Sequence, residues 1–436
     1  MSDQPVTTGL YLSPNMILKN PAYLETLKRE IGLNLALINF TGELSDEVMK
    51  ANPFDGSPPS DARIRSLLSH HIDGELCTQK LDSARSSIGP HVSPVFDEDG
   101  LREAIRQVHN LEIKVWLVGG GWTSSDFDVL MYCPGKDAVN TWYETLYVHM
   151  AKSYGADGVD ITHARYPMTS YPRGLFLCSC EDCAIAAGDL GYDMSSMVSD
   201  IHHSAQRLRT LDKDLLLEIA RTKPGLWDLI QILGLRRGVL DWFCFRADLL
   251  RGNLIRFRNA VHAAAGKDFI FGTDTYPASL GMFVGHNQAA WSDFSDFASP
   301  LLSHVDIFPM MTLTKWAQFL MQNVSGISES AALEIIGQLV GYGSLEMPKT
   351  IGGYALGEPD CEFRNVPLEE LVGLDMLKAK LFLPVETPSY PIIQGGGAPH
   401  EWPLEMVNRL KSLALDLGHN GVIYQGTSVL VDFEFR

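Results

Sequence analysis

The run Gly155-Ala156-Asp157-Gly158-Val159-Asp160-Ile161-Thr162-His163-Ala164-Arg165-Tyr166-Pro167 places an acid, an imidazole and a guanidinium within a few residues of one another. Its middle, Gly158 to Thr162, reads as a short strand that ends in polar residues. Alternation puts Val159 and Ile161 on one side and Gly158, Asp160 and Thr162 on the other. If the second side faces a barrel axis, Asp160 is a carboxyl that needs a partner, because an unpaired buried charge is expensive. His163 and Arg165, just past the strand, are the nearest candidates. Asp160 is then either an acid–base group or one half of a structural Asp–Arg pair that pins the loop.

The surrounding elements are those that would hold such a group. A helix over 137–154 carries Trp142, Leu146, Met150 and Ala151 on one face, and Gly155 ends it. Strands are expected to start near 8, 33, 112, 157, 268, 304, 390 and 420, with helices between most of them. Eight is the closing number of a (β/α)8 TIM barrel, whose chemistry sits at the C-terminal strand ends. The expected fold is one α/β TIM-barrel catalytic domain over residues 1–436. A long helical insertion (173–266) follows strand 4, a second (313–388) follows strand 6, and an irregular segment fills 41–95. Gly119-Gly120-Gly121 ends the third strand and suits close backbone approach to a ligand. No phosphate-loop spacing accompanies it.

Composition narrows the function. A net charge of −18 over 436 residues disfavours nucleic acid and anionic membranes as partners. Hydrophobic content of 45% supports a sizeable core. Neither a signal peptide nor a run of 18 or more apolar residues is seen, and seven cysteines, an odd number, suit a reducing compartment. The expected location is cytoplasmic. Cys178, Cys180 and Cys183 lie close enough to share a metal but supply three thiolates where structural zinc takes four. Three reduced cysteines is the plainer reading, and neither a metal nor a cofactor is assigned.

Several stretches together resemble a known family. Asp157 to Pro167 resembles the Asp-Gly-Ile-x-x-Asp-x-x-Arg-Tyr-Pro segment of uncharacterised glycosyl-hydrolase-like TIM barrels. Leu177-Cys178-Ser179-Cys180-Glu181-Asp182-Cys183 is similar to their Cys-x-Cys-x-x-Cys segment at a helix start. Phe245-Arg246-Ala247-Asp248, Val284-Gly285-His286-Asn287 and Val305 to Thr312 resemble later landmarks, so the likeness runs from about residue 8 to 426. The family's acid before Arg-Tyr-Pro falls on Thr162 here, and Asp160 stands two residues earlier on the same face.

Glycoside cleavage needs two carboxyls, one protonated and one ionised. Asp160, Asp274 and Glu401 are the candidates at or just past strand ends, with His400 beside Glu401 to tune it or to bond a hydroxyl. Glu401 also suits the first turn of a helix, and Asp274 also suits a turn before Pro277. Asp306, at the start of its strand, is set aside. Trp122, Trp316 and Trp402 in loops after strands, with Trp116 in the third strand, are candidate aromatic platforms for a sugar. Asn39, His163, Arg165, His286, Gln394 and Gln425 are candidate hydroxyl-binding groups, although His286 taken alone reads as a satisfied structural histidine.

These residues point to a glycoside hydrolase-like enzyme acting on a small oligosaccharide or glycoside. A metal-dependent sugar lyase or isomerase using Asp160, His163, Asp274 and His286 is the alternative, followed by a non-catalytic carbohydrate-binding barrel. Sugar, linkage, stereochemical outcome and oligomeric state stay open.

Overall fold

A computed structural model describes residues 6–53, 62, 65–66, 68–70, 72, 98–124, 129–130, 132–168, 174–222, 226–356, 365–396 and 402–433. Eight parallel strands run around one barrel. They are β1 (Thr7–Leu12), β2 (Leu35–Asn39), β3 (Lys114–Gly120), β4 (Gly158–Thr162), β5 (Ile270–Thr275), β6 (Ala298–Pro300), β7 (Ile392–Gln394) and β8 (Gly421–Gln425). Each of β1 to β5 pairs with the next, β5 pairs with β6, and β8 joins β7 to β1. Parallel bridges Ala298–Ser389 and Leu301–Ile392 bring β6 beside β7 and close the ring.

Seven strands fall where the sequence places them. The sixth does not. Val305 to Met310 forms a helical turn over Asp306–Met310, which runs directly into the helix Met311–Asn323. The strand is instead Ala298–Pro300, three residues without an apolar run to announce them. Trp316 therefore lies on a helix and is buried.

The insertion after β4 is helical, with helices Glu181–Asp189, Met194–Arg209, Lys213–Thr222, Leu226–Leu233 and Arg237–Ala265. The last of these packs on the helix Asp137–Ser153. Its Phe257 ring lies 5.8 Å from Trp122 and 5.4 Å from Tyr147, and its Arg256 pairs with Glu144 and Asp137. Burying each such large apolar side chain contributes about 1.5–3 kcal/mol. Gly155 adopts φ 71° after the helix Asp137–Ser153, so the chain turns at once into β4. Asp157 then fixes the start of that strand, accepting from the Val115 amide at 2.8 Å and facing His109 Nε2 at 3.0 Å.

The barrel floor is aromatic. Trp116 stacks on Phe297 at 4.3 Å and meets Tyr390 at 6.1 Å. Glycines make the room. A Cβ on Gly158 would come within 2.7 Å of Trp116, and one on Gly272 within 2.5 Å of Phe297. Trp116 is thus a buried floor residue two positions below the end of the inward face, not an open aromatic platform.

Candidate active site

Val159 and Ile161 are fully buried against the outer layer, and Asp160 faces the axis. Register sets its neighbours: Asp160 lies opposite Gly272 of β5, so Asp274, two residues on, shares its inward face one step nearer the strand ends. Asp274 is a strand residue with a buried carboxyl and not a turn residue before Pro277. The two acids sit diagonally on adjacent strands, close enough for the Asp274 charge to act on Asp160.

Their partners differ. Tyr11, on β1 across the barrel, donates its hydroxyl to Asp160 Oδ2 at 3.2 Å. Asp160 Oδ1 is buried with no hydrogen-bond partner among the described residues. Thr162 Oγ1 donates to Asp274 Oδ2 at 2.8 Å and lies 2.8 Å from His163 Nδ1. Burial pushes Asp160 well above the usual carboxylate range, and the Asp274 charge pushes it further, against the opposing Tyr11 bond. Burial also raises Asp274, to about 6, while the Thr162 hydroxyl, the Arg165 charge and the His163 backbone hold it down. Asp274 therefore ionises first, and Asp160, pushed up further by that charge, holds its proton longer. Tyr11, raised by the same burial, remains a neutral donor.

Arg165 serves Asp274, whereas Asp160 takes its hydrogen bond from Tyr11, so the expected Asp160–Arg165 pair is replaced. The Arg165 guanidinium lies over Tyr276 at 4.8 Å and Phe308 at 5.3 Å, and donates to the Tyr166 carbonyl at 3.2 Å. Those rings hold the cation in place at the strand ends. His163 adopts φ 59°, an uncommon conformation for a non-glycine residue, at the turn where β4 leaves the barrel.

Around the same end stand uncharged polar groups. Asn39 is exposed at the end of β2. Gln425, ending β8, accepts from Ser303 Oγ at 2.5 Å and lies 3.4 Å from His304 Nε2. Burial lowers the His304 pKa, so its ring is neutral. Gln394, ending β7, is buried and donates to the Gly396 carbonyl at 3.3 Å.

Other expected ligands are engaged in the scaffold. His286 accepts from the Tyr276 amide at Nδ1 (3.0 Å) and meets the Ala164 carbonyl at Nε2 (3.2 Å), linking the loops after β4 and β5. Burial lowers it to about 3, so it is neutral and both ring nitrogens are used. Trp122 is buried, donates to Asn140 Oδ1 at 3.0 Å, and stacks on Phe257; Trp402 is buried too. Gly121 serves a backbone rather than a ligand: a Cβ there would lie 2.6 Å from Ala164 Cα. His400 and Glu401 lie outside the described residues.

Tyr11, Ser303 and His304 join the site without having been marked in the sequence. Alternation in Gly9-Leu10-Tyr11-Leu12 put Tyr11 on the face of Gly9, and that was the available signal. Among the described residues, Asp160, His163, Asp274 and His286 do not converge as a metal-ligand group. Among the described residues the one group that does is Cys133, Cys178, Cys180 and Cys183, whose sulfurs all lie within 4.8 Å of one another. Cys133 is the fourth thiol that the sequence spacing lacked.

Fold and site together define a (β/α)8 barrel with a coupled pair of buried acids at its C-terminal end. No family model matches the sequence, and no curated protein matches it. Among solved structures, the chain is similar to the PgaB (BpsB) glycoside hydrolase domain from Bordetella bronchiseptica, at 9% identity and a TM-score of 0.48, covering 98% of this chain and 95% of that one. It is also similar to the catalytic domain of the β-amylase from Paenibacillus polymyxa (10% identity, TM-score 0.45, 96% and 92% covered). A third is the chitinase RmChi1 from Rhizomucor miehei (9%, 0.42, 98% and 96%). Likeness at this level says nothing about individual side chains. No helix among the described residues is long and apolar enough to cross a membrane.

Proposed function

We propose that the protein is a glycoside hydrolase-like enzyme acting on a small oligosaccharide or glycoside. The observation that carries the reading is the Asp160–Asp274 pair, two buried inward carboxyls one step apart on adjacent strands, of which Asp160 is pushed up further. Cleavage of a glycosidic bond calls for a division of labour, one acid to protonate the leaving oxygen and one carboxylate to act as base or nucleophile. Asp160 is assigned the protonated role and Asp274 the ionised one. Thr162 orients Asp274, and Arg165 keeps it ionised near neutral pH. Asn39, Gln425, Ser303 and His304 offer neutral donors and acceptors suited to hydroxyls, and the Phe308 ring lies between Tyr276 (4.4 Å) and His304 (5.6 Å). A net charge of −18 agrees with an uncharged substrate.

The test is a panel of chromogenic glycosides and short oligosaccharides, scored for the parent and for Asp160→Asn and Asp274→Asn. Each variant is expected to fold and to lose activity by roughly 10² or more, the scale of general acid–base catalysis. Sugar binding with no turnover, unchanged in both variants, would establish the non-catalytic barrel instead. A parent that neither cleaves nor binds any member of the panel sinks the carbohydrate reading altogether.

A further inference from the structure

We infer that Cys133, Cys178, Cys180 and Cys183 form a structural tetrathiolate zinc site. All four are buried, and their sulfurs lie within 4.8 Å of one another. Cys133 Sγ is 3.5 Å from Cys180 Sγ and 3.2 Å from Cys183 Sγ. Zinc held tetrahedrally by sulfur at about 2.3 Å needs sulfur–sulfur edges of about 3.8 Å. The cluster already has nearly those dimensions, with none of the four in a disulfide.

The surroundings are those of a thiolate site. The Gly135 amide donates to Cys133 Sγ at 3.2 Å, and the His70 amide donates to Cys178 Sγ at 2.9 Å. Backbone N–H groups aimed at sulfur stabilise thiolates and orient them toward a metal. Cys180 occupies the N-cap position of the helix Glu181–Asp189 and Cys183 lies in its first turn, where the positive end of the helix dipole favours negative sulfur. Lys136, from the Cys133 loop, pairs with Asp182 beside the cluster. Four thiolates exceed the charge of one Zn²⁺ by two, and these dipoles and this cation offset part of the excess.

Position gives the site its purpose. Cys133 belongs to the segment between β3 and the helix Asp137–Ser153, and the other three cysteines to the segment after β4. His70, which contributes an amide, lies between β2 and β3, where Leu68 bridges to Tyr132 and Ser69 Oγ donates to the Leu130 carbonyl at 2.7 Å. Three successive loops on the C-terminal side of the barrel thus meet at one point. Arg246 links that point to the candidate site, donating to the Leu175 carbonyl at 2.5 Å and lying 3.8 Å over the ring of Tyr166, the residue after Arg165. A bound zinc would tie these loops together in the folded state only, so its binding adds to folding stability. The assignment is independent of the chemistry proposed for Asp160 and Asp274.

The experiment is metal analysis of the intact chain purified without chelator, followed by unfolding and alkylation with and without zinc. The expected content is about one zinc ion per chain. Removing it with a strong chelator should lower Tm, and zinc but not magnesium should restore it. Under native conditions Cys133, Cys178, Cys180 and Cys183 should resist alkylation until zinc is removed, whereas exposed Cys244 reacts throughout. Cys133→Ser should lose the metal and Cys244→Ser should keep it. Because Cys133→Ser can also unfold the chain, Cys180→His accompanies it; it preserves four ligands and should retain zinc. Metal-free protein that is equally stable with and without zinc overturns the site. So do disulfides among the four, or iron with its visible colour in place of zinc.

Discussion

Replacing Asp274 by Asn should make the protein more stable and less active, and one proton should govern both changes. In the folded chain the Asp274 carboxyl titrates at about 6, against an ordinary 3.8. That difference of roughly two units corresponds to about 3 kcal/mol at 1.36 kcal/mol per unit. A raised folded pKa means that the stabilising contribution is complete below about 3.8 and lost as pH rises through about 6. Asn is neutral at every pH, keeps the shape of the acid, and still offers an oxygen to the Thr162 hydroxyl. The variant should therefore unfold at higher urea than the parent near pH 7.5, by about 3 kcal/mol, and nearly match it near pH 4. Activity of the parent should rise with pH through the same window, because Asp274 must be ionised, and fall again when Asp160 loses its proton. The two limbs belong to the coupled pair rather than to either acid alone. A stability difference that is the same at both pH values, or an Asn variant weaker than the parent near neutrality, would refute the burial argument.

Further predictions follow from the partners of the pair. Tyr11→Phe removes the hydrogen bond that holds the Asp160 pKa down, so the alkaline limb should move to higher pH at a stability loss of about 1 kcal/mol; an unmoved limb would separate Tyr11 from the chemistry. Arg165→Ala removes the cation that favours ionised Asp274, so the acid limb should shift upward, and loss of stacking on Tyr276 and Phe308 should lower Tm; a limb that stays in place would mean that Arg165 acts on packing alone. His286 is held at about 3, below its ordinary 6.5, so the stability it contributes is present above 6.5 and lost as pH falls through about 3. His286→Ala should cost about 1–3 kcal/mol for each bond partner left unpaired, and should flatten the acid side of the stability profile. Equal acid sensitivity of parent and variant, followed by urea unfolding, would show that His286 is not the titrating group.

The sequence by itself determined the barrel and one inward carboxyl. Apolar runs such as Leu35-Ala36-Leu37-Ile38 and Val115-Trp116-Leu117-Val118 are long enough to be read as buried parallel strands, and alternation alone turned Asp160 toward the axis. Those signals are local, with periods of two residues along a strand and about three and a half along a helix. The tertiary structure decided the rest. Ala298–Pro300 is a strand because β5 on one side and the segment at Ser389 on the other supply its hydrogen bonds, and its own three residues carry no pattern. Trp122 and Trp402 looked like open platforms, but packing buried them, since a large ring gains most where it is fully covered. Glu401 and His400, which the sequence placed beside the site, lie outside the described residues. Asp160 met Tyr11 from 149 residues away, and Cys133 met Cys180 from 47. No spacing rule links such positions, because closing the barrel brings them together only once every strand between them is in register.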